Sequence, residues 1–142
     1  ISIMIAFHFK SELVIQKKTD YADWINRVVD SEGFSVGQID YIFCTDDYLL
    51  KLNKDYLNHD TFTDIITFDY TEGKIISGDI FISTDRVQDN AKKFDVEFSN
   101  ELKRVMSHGI LHLAGFGDKS KEEKDIMRLK EDEKIKMFHV EP

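Results

Sequence analysis

His108-Gly109-Ile110-Leu111-His112-Leu113-Ala114-Gly115-Phe116-Gly117-Asp118 spaces three metal-competent side chains as H-x3-H-x5-D around a glycine. The histidines lie four residues apart in a run with helical apolar spacing. Their rings therefore leave one helix face, with Cβ atoms about 5–6 Å apart, which suits two ligands of one ion. Gly115 has no Cβ and can take the left-handed conformation that ends a helix, so the next three residues can fold back and bring Asp118 under the same ion. Three protein ligands are the usual number for a catalytic zinc, whose fourth position stays open, whereas closed structural sites use four and favour cysteine. The single cysteine, Cys44, sits in an apolar β-like run and reads as inert core, so no Cys-rich finger is available. The pattern predicts one Zn2+ per chain on His108, His112 and Asp118, with His139 and His59 the next candidates for the third ligand.

Outward from this stretch the periodicity sets the fold. Leu102, Val105, Met106, Ile110 and Leu113 form the buried stripe of the metal-bearing helix, which Ser99 or Asn100 can cap. Residues 121–138 carry Ile126, Leu129, Ile135 and Met137 among dense charges and read as an amphipathic surface helix. Upstream, residues 84–94 read as a helix capped by Thr84 or Asp85, and residues 75–83 as a strand. Gly78-Asp79 interrupts that strand where a bulge or a close backbone approach fits. Residues 64–70, 39–45 and 3–9 give three further strands. Residues 21–29 give a first helix, and Asp46 or Asp47 can cap a second that carries Leu49, Leu50, Leu52 and Tyr56. The expectation is an α+β fold in which a mixed sheet of about four strands packs with about five helices, the metal site lying on a helix of the C-terminal half.

At 142 residues, with 42% hydrophobic side chains and eleven phenylalanines, the chain fits one domain over residues 1–142 with a substantial core. One cysteine excludes an intrachain disulfide and suits a reducing cytosol. The opening residues 1–9 are apolar but short and lack a basic lead or a cleavage signal, so neither export nor membrane spanning is expected and a cytoplasmic location is. The formal charge is −8, and residues 119–142 hold seven basic and seven acidic side chains, so the whole acidic excess lies in residues 1–118. An acidic chain is a poor non-specific polyanion binder; if the substrate is RNA, a local basic patch, the metal or a partner must supply the contact.

The metal stretch resembles the HGxLHLxGxDH signature of the YbeY family, bacterial zinc-dependent endoribonucleases of rRNA maturation. The resemblance continues upstream. Leu52-Asn53-Lys54-Asp55-Tyr56, Asp60 and Thr63-Asp64-Ile65-Ile66-Thr67-Phe68 are similar to the family's LNxxYR…KDxPTDVLSF segment, and Gly78-Asp79-Ile80-Phe81-Ile82-Ser83 to its GDIxIS strand. Two positions depart: the family's third histidine aligns with Asp118, leaving a His2Asp set, and its arginine after the motif tyrosine aligns with Leu57. A carboxylate is an accepted zinc ligand at ~2.0–2.2 Å. The family arginine is thought to serve substrate phosphate or catalysis; His59 is the nearby donor.

The resemblance implies a zinc-dependent endoribonuclease acting on single-stranded regions of rRNA precursors, in rRNA maturation and ribosome quality control. Its implied partners are the ribosomal subunit or ribosome-associated proteins. Asp64, Asp79 and His59 are the candidate catalytic groups, since a carboxylate or imidazole can orient a ligand histidine or accept a proton. Arg104, one turn before His108, and Lys103 are the candidate phosphate binders, with Lys92 and Lys93 extending the patch. Two other classes stand beside this one. H-x3-H-x2-G-x2-D is the ligand spacing of metzincin peptidases, but Gly109 occupies the position of their general-base glutamate. A non-catalytic ribosome-assembly protein with a structural metal fits the acidic charge and Leu57.

Overall fold

The computed structural model describes residues 4–13, 15–59 and 61–138. Among these, β1 (Met4–Lys10), β2 (Ser35–Cys44), β3 (Ile65–Asp69) and β4 (Ile75–Ser83) form one mixed sheet in the order β1-β2-β4-β3. β1 and β4 run parallel to β2, and β3 closes the far edge antiparallel to β4. The helices are α1 (Lys18–Ser31), α2 (Asp46–Leu57), α3 (Thr84–Lys93), α4 (Phe98–Leu113) and α5 (Lys121–Met137). The fold is α+β with a four-stranded mixed sheet and five helices, as the periodicity implies.

Alternation along the strands decides what faces what. Ile39, Tyr41 and Phe43 of β2 and Ile76, Ile80 and Ile82 of β4 share one face, packed with Trp24, Ile25 and Val28 of α1 and Val105, Met106 and Ile110 of α4. Cys44, Ile66, Phe68 and Phe81 look the other way, under Leu49 and Leu52 of α2. The predicted irregularity near Gly78 divides between two strands. The bulge belongs to β2, where Gly37 and Gln38 oppose Ser77 alone, while Gly78 itself is a close approach. A Cβ on Gly78 would stand 2.6 Å from the Phe68 carbonyl oxygen and 3.1 Å from Leu113 Cδ1, so β3 and α4 both press on this glycine.

Three caps fall one to three residues earlier than the sequence suggests. Thr45 caps α2 and Ser83 caps α3, each accepting a backbone N–H through its hydroxyl, and α4 begins at Phe98 after Glu97. The larger difference is in α5. Its inward face is Met127, Glu131 and Lys134, while Ile126 and Leu129 are exposed. This helix covers α4 and α1 through polar side chains with specific partners: Lys134 Nζ donates to Glu32 Oε2 at 2.6 Å and to Ser31 Oγ at 2.9 Å. The Trp24 indole N–H adds a bond to the Lys134 carbonyl at 2.7 Å. None of the helices among the described residues is long and apolar enough to cross a membrane.

Candidate metal centre

The last turn of α4 carries both histidines. Their rings lie edge to face with centroids 4.4 Å apart. Past Leu113 the chain closes with the Gly115 N–H on the His112 carbonyl at 3.0 Å and the Phe116 N–H on the Leu111 carbonyl at 2.9 Å. This is a Schellman ending, and Gly115, at φ +104°, occupies the left-handed position it requires. The reversal returns Asp118 to the helix. Asp118 Oδ2 stands 3.3 Å from His108 Nε2 and 3.4 Å from His112 Nε2.

The other ring nitrogens explain the aim of the first. His108 Nδ1 donates to Glu131 Oε2 at 2.6 Å, and His112 Nδ1 donates to the Phe116 carbonyl at 2.9 Å. Both partners only accept, so each Nδ1 carries the proton and each neutral ring presents a lone pair at Nε2. Two such lone pairs and a carboxylate converge on one point, an arrangement that a metal ion, or a proton shared with Asp118, relieves. Ligands ~2.05 Å from an ion at tetrahedral angles lie about 3.4 Å from one another. The distances from Asp118 match that spacing, and the three ligand atoms all fall within 4.8 Å of one another. His108, His112 and Asp118 can therefore hold a metal ion.

A second layer of contacts supports the candidate ligands. Arg104 Nη1 bonds Glu131 Oε1 at 3.0 Å and its Nη2 bonds Asp132 Oδ1 at 2.6 Å. Arg104, Glu131 and His108 thus form one chain of charge-assisted bonds from α4 to α5 and back. Burial opposes protonation of His108, but the Glu131 bond and the charges of Glu131, Asp118 and Asp64 outweigh it and raise the imidazole above its ordinary value.

Beside the ligands lies a cleft of about 350 Å³ whose walls include Asp64, His108, Asp118, Arg128 and Phe94. Asp64 precedes β3, and its carbonyl accepts from the Ser83 N–H at 2.9 Å, which fixes it at the cleft. Burial pushes its carboxyl up; His108 pulls it down, and Glu131 and Asp118 add to the rise. Across residue 64 a second depression of about 420 Å³ is lined by Asn53, Leu57, His59, Thr63 and Ile65. A larger depression of about 770 Å³, between Lys10, Thr45 and Gln88, shares no residue with the metal centre.

The candidate residues thus separate. Asp64, Arg104, His108 and Asp118 line one cleft, and His112 joins His108 and Asp118 in the cluster at its edge. His59 and Leu57 share the neighbouring depression. Asp79 does not join them: alternation from Gly78 and Ile80 puts it on the α2 face of β4, where it accepts from the Tyr70 hydroxyl at 3.2 Å. Lys103 is buried with its Nζ 4.0 Å from the Phe138 ring centre and 5.9 Å from that of Tyr21, on the α1 side of α4. Arg104 is 13% exposed and held by two carboxylates, so it braces Glu131 rather than standing free for phosphate. Asp60 and His139 lie outside the described residues. Glu131 and Arg128 carry no spacing signal in the sequence, where residues 121–138 read as an amphipathic surface helix with Ile126, Leu129, Ile135 and Met137 as its apolar positions.

A mixed sheet bearing a histidine-pair helix on one face, closed by an aspartate at the mouth of a polar cleft, defines an α+β protein built around a candidate metal centre. The model of the family described as Endoribonuclease YbeY matches residues 6–139. The chain belongs to that family. It is 56% identical over 138 residues to "Endoribonuclease YbeY" of Flavobacterium johnsoniae, covering 97% of this chain and 99% of that protein. The protein of the same name from Christiangramia forsetii is 53% identical over 137 residues, 96% of each chain. The solution structure of a Thermotoga maritima protein superposes with a TM-score of 0.65 at 25% identity, covering 95% of this chain and 89% of that one.

Proposed function

We propose that this protein is a zinc-dependent endoribonuclease that cuts single-stranded RNA in the maturation of rRNA precursors. The observation that carries the proposal is the convergence of His108 Nε2, His112 Nε2 and Asp118 Oδ2 at the mouth of a polar cleft, in a chain of the Endoribonuclease YbeY family. Two imidazoles and one carboxylate suit zinc, and with three protein ligands a position stays open. Zinc bound there supplies Lewis-acid polarisation of a phosphoryl oxygen. The chain's own residues do the rest. Glu131 and the Phe116 carbonyl hold the two rings in the ligating tautomer. Asp64, pushed up by burial and lining the same cleft, is the carboxyl we assign to take up and return a proton at the scissile group.

Gly109 argues against the peptidase alternative. Its Cα faces the sheet, and a Cβ there would stand 3.0 Å from Ile80 Cγ2 and 3.1 Å from Ile65 Cδ1. The position has a packing role and no room for a glutamate base. The test is cleavage of single-stranded and duplex RNA by protein of known zinc content, with denatured casein as control. Cleavage of single strands, lost on chelation and in His112→Ala, is the result expected. Metal-dependent casein hydrolysis without RNA cleavage would reverse the assignment.

A further inference from the structure

We propose that the cleft beside the metal centre seats one nucleotide of the RNA, its base stacked on Phe94 and its phosphate held by Arg128. This rests on the nuclease assignment above and adds the residues that receive the substrate. Of the four arginines, three are engaged. Arg27 donates to the Met137 carbonyl at 3.0 Å, Arg86 pairs with Asp46 at 2.9 Å, and Arg104 is bound by Glu131 and Asp132. Arg128 is exposed and has no hydrogen bond or ion pair among the described residues, although it lines the same cleft as His108 and Asp118. Its charge acts on Glu101 of the same cleft without a direct ion pair, so the guanidinium keeps its donors free as a fork for phosphate.

Phe94 supplies the complementary part. It lies seven residues beyond Val87, on the stripe that buries Val87 and Ala91, yet it is 51% exposed. α3 ends there, and Asp95 at φ +55° turns the chain, which leaves the ring on the cleft wall instead of in the core. Lys93 Nζ lies 5.6 Å from the ring centre, so the rim carries a cation as well. An aromatic face flanked by cations is the usual seat of an unpaired base, and it takes any base because each has a π-face. The volume, about 350 Å³, is at the small end of ligand clefts, roughly 300–1,000 Å³. That volume suits a single unpaired base with its phosphate.

The experiment measures binding of a fluorescein-labelled 2′-O-methyl decanucleotide to the zinc-loaded full chain by anisotropy, with its integrity checked on a gel. Zinc affinity of every variant is measured by competition with a chelating dye, a readout independent of cleavage. Phe94→Leu, which keeps apolar bulk without the π-face, and Arg128→Gln should each weaken RNA binding about fivefold to a hundredfold while zinc affinity stays at the parent value. Phe94→Tyr should bind like the parent. If the parent binds and cleaves RNA and both Phe94→Leu and Arg128→Gln match it, the nucleotide seat is elsewhere and the nuclease assignment stands. If the parent neither binds nor cleaves single-stranded RNA, both fall together.

Discussion

A histidine holds a metal through one ring nitrogen, so whatever the other nitrogen touches sets the tautomer and the aim of the ring. At His108 that partner is Glu131, and Glu131 is itself fixed by Arg104. Glu131→Gln keeps an acceptor of the same shape but removes the charge that strengthens imidazole as a ligand and pairs with Arg104. Zinc affinity should fall about 10–100-fold. Asp118→Asn should also weaken zinc, because an amide is a poorer donor, whereas Asp118→His should retain it. Chelator competition on the three variants checks the set; affinities equal to the parent throughout would remove Asp118 and Glu131 from the centre. The difference in legibility between these residues is physical. His108, His112 and Asp118 come together within one helical turn and one glycine reversal, a local geometry that spacing encodes. Glu131 lies 23 residues from His108 on another helix, and nothing local separates a carboxylate that orients a ring from one that faces water. Asp79 was readable from alternation, since Gly78 and Ile80 on the α4 side leave it on the other.

At the scale of elements, the same helix that orients His108 is held by ions rather than by oil. Lys134 is 1% exposed and Glu32 10%, and Lys130 Nζ joins them 3.0 Å from Glu32 Oε2. Removing Glu32 leaves the buried Lys134 ammonium with only Ser31 Oγ and, at 3.8 Å, the exposed Glu133, so Glu32→Gln should lower stability at pH 7 by about 3 kcal/mol. The pH dependence follows from the direction of the Glu32 shift. Burial favours the neutral acid, but the hydrogen bonds and charges of Lys134 and Lys130 outweigh it and hold the carboxyl below its ordinary value. The unfolded chain therefore takes up the proton first. Stability from this pair is full above the ordinary glutamate range of about 4.3 and is lost as the pH falls through the lower, folded value. Urea denaturation of parent and Glu32→Gln should give midpoints well apart at pH 7 that converge below about pH 4. A constant gap across that range would show that the pair is not linked to folding. Which residues form each strand and helix is readable from period two and period 3.6. The sheet order and the polar inner face of α5 are not, because a buried ion pair and a solvated one have the same composition.

For the whole molecule, the question is whether the metal is part of the fold or only part of the site. The principal core gathers Trp24, Ile25, Val28, Tyr41, Phe43, Ile80, Ile82, Met106 and Ile110 from α1, the sheet and the middle of α4, and it contains none of the ligands. His108, His112 and Asp118 are only partly buried, at the end of α4 and in the loop that follows. The reversal between His112 and Asp118 is closed by backbone bonds of its own at Gly115 and Phe116. Chelation should therefore leave far-ultraviolet circular dichroism and the near-ultraviolet signal of buried Trp24 in place. Bound zinc stabilises only by mass action, about 2.7 kcal/mol at a hundredfold excess over its Kd. For a chain of this size that corresponds to a fall in Tm of roughly 5–15 °C on removal. Outright unfolding on chelation, as in small zinc-folded modules, would instead make the metal structural and return the balance to an assembly protein without catalysis. A cooperative apo-protein transition that regains the parent Tm when zinc is restored is the outcome that this placement of the core requires.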